Sequence, residues 1–247
     1  MVPTDDPQHP MTRDPDPVDA RLADVRAGFD EFQDYDGLIH RILPGYSEML
    51  DTVESLVAFQ RPTPRVILEL GIGTGGVAER LLSAMPDLAL IGVDFSETML
   101  ARAERRLAAY RDRLTLLEGD LRTFEVPAPD VDGAVSCLAV HHLDDDDKRA
   151  LFVRLGRLIP AGGLFVLGDV VSLPERLADW ARVRRLARMR ELGAGTDFDA
   201  DRWIDAGAEN DRPASLEAQV GWLRDAGFGA VASVWQEPGA AVIGAIR

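Results

Sequence analysis

The run Glu69-Leu70-Gly71-Ile72-Gly73-Thr74-Gly75-Gly76 constrains this chain more than any other. It closes a short apolar stretch, Val66–Leu70, and opens residues that read as a helix, Gly75–Ala84. Glycine lets a backbone turn sharply after a strand and lets a ligand approach closely. A helix that starts there offers free N–H groups, which favour a negative or polar group. Gly71, Gly73 and Gly76 satisfy G-x-G-x-x-G, so a dinucleotide-type fold is a formal candidate. The bland alternative is a tight turn that binds nothing, at an entropic cost that so many glycines leave unexplained.

Downstream, strand and helix patterns alternate. Leu88–Val93 reads as a second strand, and Ser96 as the cap of a helix to Ala109 with Glu97 in its first turn. Leu114–Leu117, Val131–Leu138 and Leu164–Leu167 read as the third, fourth and fifth strands. Asp144–Asp147 open a helix to Leu158, where negative charge suits the helix dipole. This order implies an α/β fold, a parallel sheet with helices on both faces. Residues 173–213 break the rhythm. An Arg-rich helix over Leu173–Leu192, a bend at Gly193–Gly195 and a short helix with Trp203 and Ile204 read as a helical lid insertion over the sheet's C-terminal edge. Ser215 then caps a helix ending at Gly227. Val231–Trp235 and Ala241–Ile246 are joined by a loop too short for a crossover helix, so they should pair antiparallel. Residues 1–20 carry five prolines and five aspartates and read as a mobile tail. Residues 21–62 read as a helical N-terminal cap broken at Pro44-Gly45, and residues 63–247 as the main domain.

Charge narrows the function. With 42 acidic against 27 basic residues, a general nucleic-acid binder is disfavoured. Lys148 is the only lysine, which removes two-lysine mechanisms, and Cys137 is the only cysteine, which removes disulfides and Cys-based zinc clusters. No apolar run reaches membrane-spanning length and no secretory h-region is visible, so the expectation is a cytoplasmic protein with no membrane partner. Arginines at 182, 184, 185, 188 and 190 form a local basic cluster that would either attract an anionic ligand or face solvent.

Asp94 ends the second strand, where a carboxylate accepts from both hydroxyls of a ribose. Glu118-Gly119-Asp120-Leu121 follows the third strand, where a carboxylate receives an adenine amino group. Glu69 lies under the glycine turn. Such carboxylates serve a nicotinamide diphosphate poorly and a cationic sulfonium with an amino acid tail well. No tyrosine is followed by lysine at Tyr-x-x-x-Lys spacing, which disfavours the commonest short-chain dehydrogenase chemistry.

On Glu69–Gly75, Asp94, Gly119-Asp120, Val135–Leu143 and Leu158–Gly163, residues 65–246 resemble a class I S-adenosylmethionine-dependent methyltransferase. The resemblance implies a Rossmann-like seven-stranded sheet with an antiparallel last strand, and S-adenosylmethionine at the carboxyl ends of the first four strands. Gly71 and Gly73 would pass the cofactor's amino acid part, Asp94 would bind ribose and Phe95 would line adenine. Asp120 and Leu121 would hold the adenine edge, and Cys137 and Leu138 would lie near the methionine part. The product would be S-adenosylhomocysteine and the partner a small-molecule acceptor, with a homodimer conceivable. Asp36–Ser47 is also similar to the N-terminal segment of carboxy-S-adenosylmethionine synthases, which makes Tyr46 a cofactor candidate. Glu209-Asn210 and Ala226-Gly227-Phe228 add to that likeness, but no arginine shortly precedes Glu209-Asn210; Arg202 and Arg212 are substitutes only if the loop shifts. An ordinary methyltransferase is therefore the preferred reading, ahead of a carboxylated-cofactor synthase or a non-catalytic cofactor-binding protein.

Methyl transfer needs alignment, exclusion of water and sometimes a base. His141 and His142 follow the fourth strand, and either is a candidate base. Adjacent side chains diverge in an extended segment, and no third ligand is evident in sequence, so no metal site is expected. Asp169 could face the cleft but reads as structural, Asp144–Asp147 could look like a metal site but read as a solvated, dipole-matched helix face, and His9 and His40 read as surface residues. Phe29, Phe32, Tyr35, Trp180, Met189, Phe198 and Trp203 are candidates for an apolar lid or for ordinary packing.

Overall fold

Five apolar strands lie parallel at the centre of the computed structural model, which describes residues 20–25, 27, 35–126, 131–192 and 210–247. They are β1 (Val66–Leu70), β2 (Ala89–Asp94), β3 (Leu114–Glu118), β4 (Gly133–Cys137) and β5 (Leu164–Val170). The sheet order is β3-β2-β1-β4-β5-β7-β6, with β6 at Ala230–Glu237 and β7 at Ala240–Ile246. β7 inserts antiparallel between β5 and β6, so the last two strands pair as the short connecting loop demands.

The helices are α1 (Tyr35–Ile42), α2 (Tyr46–Phe59), α3 (Gly76–Ala84), α4 (Glu97–Arg106), α5 (Asp145–Leu158), α6 (Glu175–Glu191) and α7 (Leu216–Asp225). Alternation along each strand splits the core into two layers. Ile67, Val135, Val166 and Val242 face one layer with Ile42, Met49, Val53, Val57 and Leu81. Leu68, Ala134, Phe165 and Ile243 face the other with Phe152, Leu155, Leu223 and Phe228. The N-terminal helices are thus part of the first core layer: a Cβ on Gly168 of β5 would come within 3.2 Å of Met49.

The ends of elements differ from the sequence reading for local reasons. Ser96 caps α4, its Oγ accepting from the Met99 N–H, but the helix stops at Arg106 and a 3₁₀ turn, Ala108–Arg113, carries the chain to β3. β5 runs to Val170 instead of Leu167 because β7 pairs with it as far as Val170 opposite Ala240. The polar Asp169 hides that extension from an apolar pattern. Residues 1–19 of the tail, Phe29, Phe32, Gly193–Gly195, Phe198, Trp203 and Ile204 lie outside the described residues, while Ala20 already belongs to a helical stretch. No described helix is long and apolar enough to cross a membrane.

Gly156 marks the tightest contact between α5 and the end of α7. A Cβ there would sit 2.1 Å from the Ala226 carbonyl oxygen, which is backbone and cannot swing away. Glycine inside a helix ordinarily costs about 0.5–1 kcal/mol against alanine. Here overpacking, typically about 1–3 kcal/mol, outweighs that gain. Gly156→Ala should therefore lower the denaturant midpoint; an unchanged or higher midpoint would contradict this packing.

Candidate active site

β2 and β4 flank β1 on opposite sides, so the chain reverses its order between β1 and β4. Such a switch point opens a crevice beyond the carboxyl ends of the strands, where open α/β sheets bind ligands. A cavity lies there. Gly71 and Gly73 line it after β1, Asp94 and Phe95 at the end of β2, Asp120 and Leu121 after β3, and Cys137 and Leu138 at the end of β4. Glu69, Tyr46 and His142 line it too, as does Leu22 from the helical residues 20–25. The residues expected from sequence to hold the cofactor therefore share one cavity.

The glycine turn has a backbone that few other residues adopt. Gly71, Gly73 and Gly75 have φ of 69°, 54° and 85°. At Gly71 a Cβ would lie 2.2 Å from that of Ala139, whereas at Gly73 it would meet nothing within 4 Å. Gly71 thus serves packing, and Gly73 presents bare backbone to open space. Asp94 holds the turn in place: its Oδ2 accepts from the Gly73 N–H at 2.8 Å and its Oδ1 from the Ser96 N–H at 3.0 Å. Across the cavity Leu138 has φ of 54°, a left-handed conformation costly for a residue with a Cβ.

The acids in the cavity differ in state. Glu69 is 2% exposed, and its Oε2 has no hydrogen-bond partner among the described residues. Burial, and then the nearby Asp94 carboxylate, pushes its carboxyl well above the ordinary range. Asp120 is partly spoken for. Its Oδ1 accepts from the Arg122 N–H at 2.7 Å, and its Oδ2 takes the Arg122 guanidinium at 2.6 Å. Burial opposes ionisation there, but the Arg122 bonds outweigh it and hold the carboxyl below its usual value. Burial, followed by the Asp169 and Glu69 charges, pushes the Cys137 thiol up, which makes it a poor nucleophile.

The two histidines do not diverge. Val140–His142 is a 3₁₀ turn, not an extended segment, and the rings lie 4.0 Å apart between centroids. His142 lines the cavity; His141 is buried beside it. Asp169 secures His141 twice, accepting from its backbone N–H at 2.9 Å and pairing with Nδ1 at 2.5 Å. Burial alone would lower the His141 pKa, but the Asp169 carboxylate and then Asp211 raise it. His142 is lowered, by burial and then by the His141 charge, against the pull of Asp211. Burial would raise Asp211, yet its bond to His142 and the charges of His141, His142 and Arg185 bring it below the ordinary carboxylate range.

Asp211 and its supports escaped the sequence reading, because nothing local marks a residue that reaches the site only through the fold. The Arg212 N–H donates to the His141 carbonyl at 2.7 Å. Lys148, 1% exposed, donates to the carbonyls of Leu143 and Arg212. Arg21 donates to the carbonyls of His142 at 2.7 Å and Asn210 at 2.8 Å and pairs with Asp144 at 3.0 Å. Two other acids of the Asp144–Asp147 run make local pairs, Asp145 with Lys148 and Asp146 with Arg149.

The arginine cluster on α6 does not line the cavity. Arg182, Arg184, Arg188 and Arg190 are exposed, and Arg185 turns inward to the Ile42 carbonyl at 3.0 Å. Met189 is buried, Trp180 is half exposed and His40 is exposed. Arg212 does not line the cavity, and its guanidinium donates to the Asp211 carbonyl; Arg202 and Glu209 lie outside the described residues.

Residues 67–163 match the model of the methyltransferase domain family. An uncharacterized methyltransferase of Geobacillus sp. (strain WCH70) is 30% identical over 135 residues, 55% of this chain and 58% of that protein. The chain thus spans less than two thirds of that relative. A carboxy-S-adenosyl-L-methionine synthase of Chromohalobacter salexigens is 28% identical over 204 residues, 81% of this chain and 74% of the synthase. Among solved structures, an O-methyltransferase family protein from Burkholderia thailandensis superposes with a TM-score of 0.64 at 19% identity, over 92% of this chain and 61% of that one. Magnesium protoporphyrin IX methyltransferase from Synechocystis PCC 6803, solved with bound S-adenosylmethionine, gives a TM-score of 0.61 at 15% identity, over 92% of this chain and 97% of that one. Sheet order, glycine turn and structural neighbours converge on the fold of the class I methyltransferases, and residues 67–163 within it match a methyltransferase domain.

Proposed function

We propose that the protein moves a methyl group from S-adenosylmethionine to a small, largely apolar acceptor by in-line displacement. The charge of the cavity carries this reading. Glu69, Asp94 and Asp120 line it, and no lysine or arginine does among the described residues. A dinucleotide diphosphate would meet acids there with no cation to offset them. A sulfonium with an ammonium tail brings the positive charge that the buried Glu69 lacks. Bound there, the cofactor supplies an electrophilic methyl group. Gly73 leaves room for its backbone-like tail, Asp94 accepts from the ribose, and Phe95 with Leu121 covers the adenine. Leu22, Tyr46, Leu138 and Leu143 wall the rest of the cavity and exclude water, and His142 is the ionisable ring that faces the acceptor.

A second reading has support from the synthase that aligns over 81% of the chain. A carboxylated sulfonium cofactor would need a cation for its extra carboxylate, and no basic side chain but the His142 ring lines the cavity among the described residues. Mass spectrometry of ligand released from freshly purified protein separates the two. S-adenosylmethionine or S-adenosylhomocysteine is expected; the carboxylated form would replace our reading.

Two substitutions test the cofactor assignment by calorimetric titration with S-adenosylhomocysteine. Asp94→Ala should weaken binding at least tenfold, since hydrogen bonds to a charged acceptor are worth roughly 1.5–3 kcal/mol each. Unchanged affinity in folded protein would remove the ribose role. Glu69→Gln should move two quantities in opposite directions. Ligand affinity falls with the lost charge, while the free protein keeps or gains stability because a carboxyl with a raised pKa opposes folding once it must ionise. Loss of stability with affinity intact would overturn the Glu69 assignment.

A further inference from the structure

We propose that His141, His142 and Asp211 form a binding site for one divalent transition-metal cation of the zinc class, opening on the cavity. Each offers one ligand atom, and the three atoms lie within 4.8 Å of one another. The decisive pair is His141 and Asp211. Nδ1 of His141 is committed to Asp169 at 2.5 Å. Its Nε2 faces Asp211 Oδ1 at 3.7 Å, beyond hydrogen-bond range, and the gap is one that a cation shared by the two would fill. On a tetrahedral ion with bonds of about 2.0–2.1 Å, two ligand atoms lie about 3.4 Å apart. His142 Nδ1 stands 3.2 Å from the same Asp211 oxygen.

The surroundings are built as a ligand set requires. A carboxylate that fixes the tautomer of a histidine is the usual support behind a metal-bound imidazole, and Asp169 is placed to give it. Asp211 is anchored by its neighbour: the Arg212 N–H holds the His141 carbonyl, and the Arg212 carbonyl takes Lys148. The Lys148 ammonium, engaged with carbonyls and Asp145, is committed elsewhere. Two imidazoles and one carboxylate suit zinc, iron(II) or cobalt(II) better than magnesium or calcium, which prefer oxygen. Three protein ligands leave a coordination position open. Because His142 lines the cavity, that position would face the acceptor; this last point rests on the methyl-transfer reading, whereas the site itself does not.

The test uses full-length, tag-free protein freed of metal by chelation and titrated with cobalt(II), whose visible absorption reports the ligand field. The expected result is saturable binding of one equivalent with d–d bands, reversed by zinc. Asp169→Asn should weaken binding by roughly 10–100-fold, the range for a group behind a ligand. Asp211→Asn and His142→Gln should weaken it further and change the spectrum. Absence of bands in the natural protein overturns the proposal, as does an unaltered spectrum and affinity in both ligand variants. S-adenosylhomocysteine titrated into the same samples separates the two readings. Cobalt bands without nucleoside binding would leave the metal site standing and remove the methyl-transfer function. Nucleoside binding without cobalt bands would do the reverse.

Discussion

The carboxylate of Asp94 ties the first two strand ends together. One oxygen holds the Gly73 N–H and the other the Ser96 N–H, so the glycine turn and the start of α4 share a single anchor. The left-handed φ values at Gly71, Gly73 and Gly75 cost nothing steric to glycine, but such a turn still needs a partner to select one conformation. A buried acid provides it. The floor of the cavity is therefore set by a polar bond between neighbouring strands, and the apolar walls are arranged around it.

The opposite wall is organised by a separate network. Asp169 fixes His141, and the Arg212 backbone binds the His141 carbonyl. Lys148 and Arg21 then clamp the segment 210–212 against the start of α5. The Lys148 and Arg21 bonds join chain positions more than sixty residues apart and are part-buried, while the His141–Asp169 bonds are buried, where an unmade partner would cost about 1–3 kcal/mol. Residues 210–212 are thus tied down, so Asp211 occupies a defined place beside the histidines.

Much of this was legible beforehand where pattern and chemistry coincide. The β1 turn, Asp94, and the antiparallel end of the sheet follow from glycine spacing, strand ends and loop length, and each is found in the fold. The histidine pair was legible as residues but not as geometry. A 3₁₀ turn brings their rings together, where an extended strand would have spread them. Asp211 was illegible because its role depends on where the chain returns after α6, and no local spacing encodes that return. The arginines of α6 show what local density leaves open: a cluster that could face an anion or solvent has four members facing outward, while the fifth serves a helix carbonyl.

The two walls also differ in what they lack. On the glycine side, Glu69 is a buried carboxyl with an oxygen left without a partner among the described residues, and its charge is unfavourable until something positive arrives. On the histidine side, Asp169 and Asp211 bracket His141, and the imidazole is held with both nitrogens facing carboxylates. Each wall would thus suit a cation: a sulfonium with its ammonium on one under the proposed function, a metal ion or a proton on the other. Under the methyl-transfer and metal-site proposals, an acceptor seated between them would meet a positive methyl donor from one side and a positive centre from the other. A cavity of this kind selects its acceptor by one polar atom and by shape, which is how a mostly apolar pocket achieves orientation.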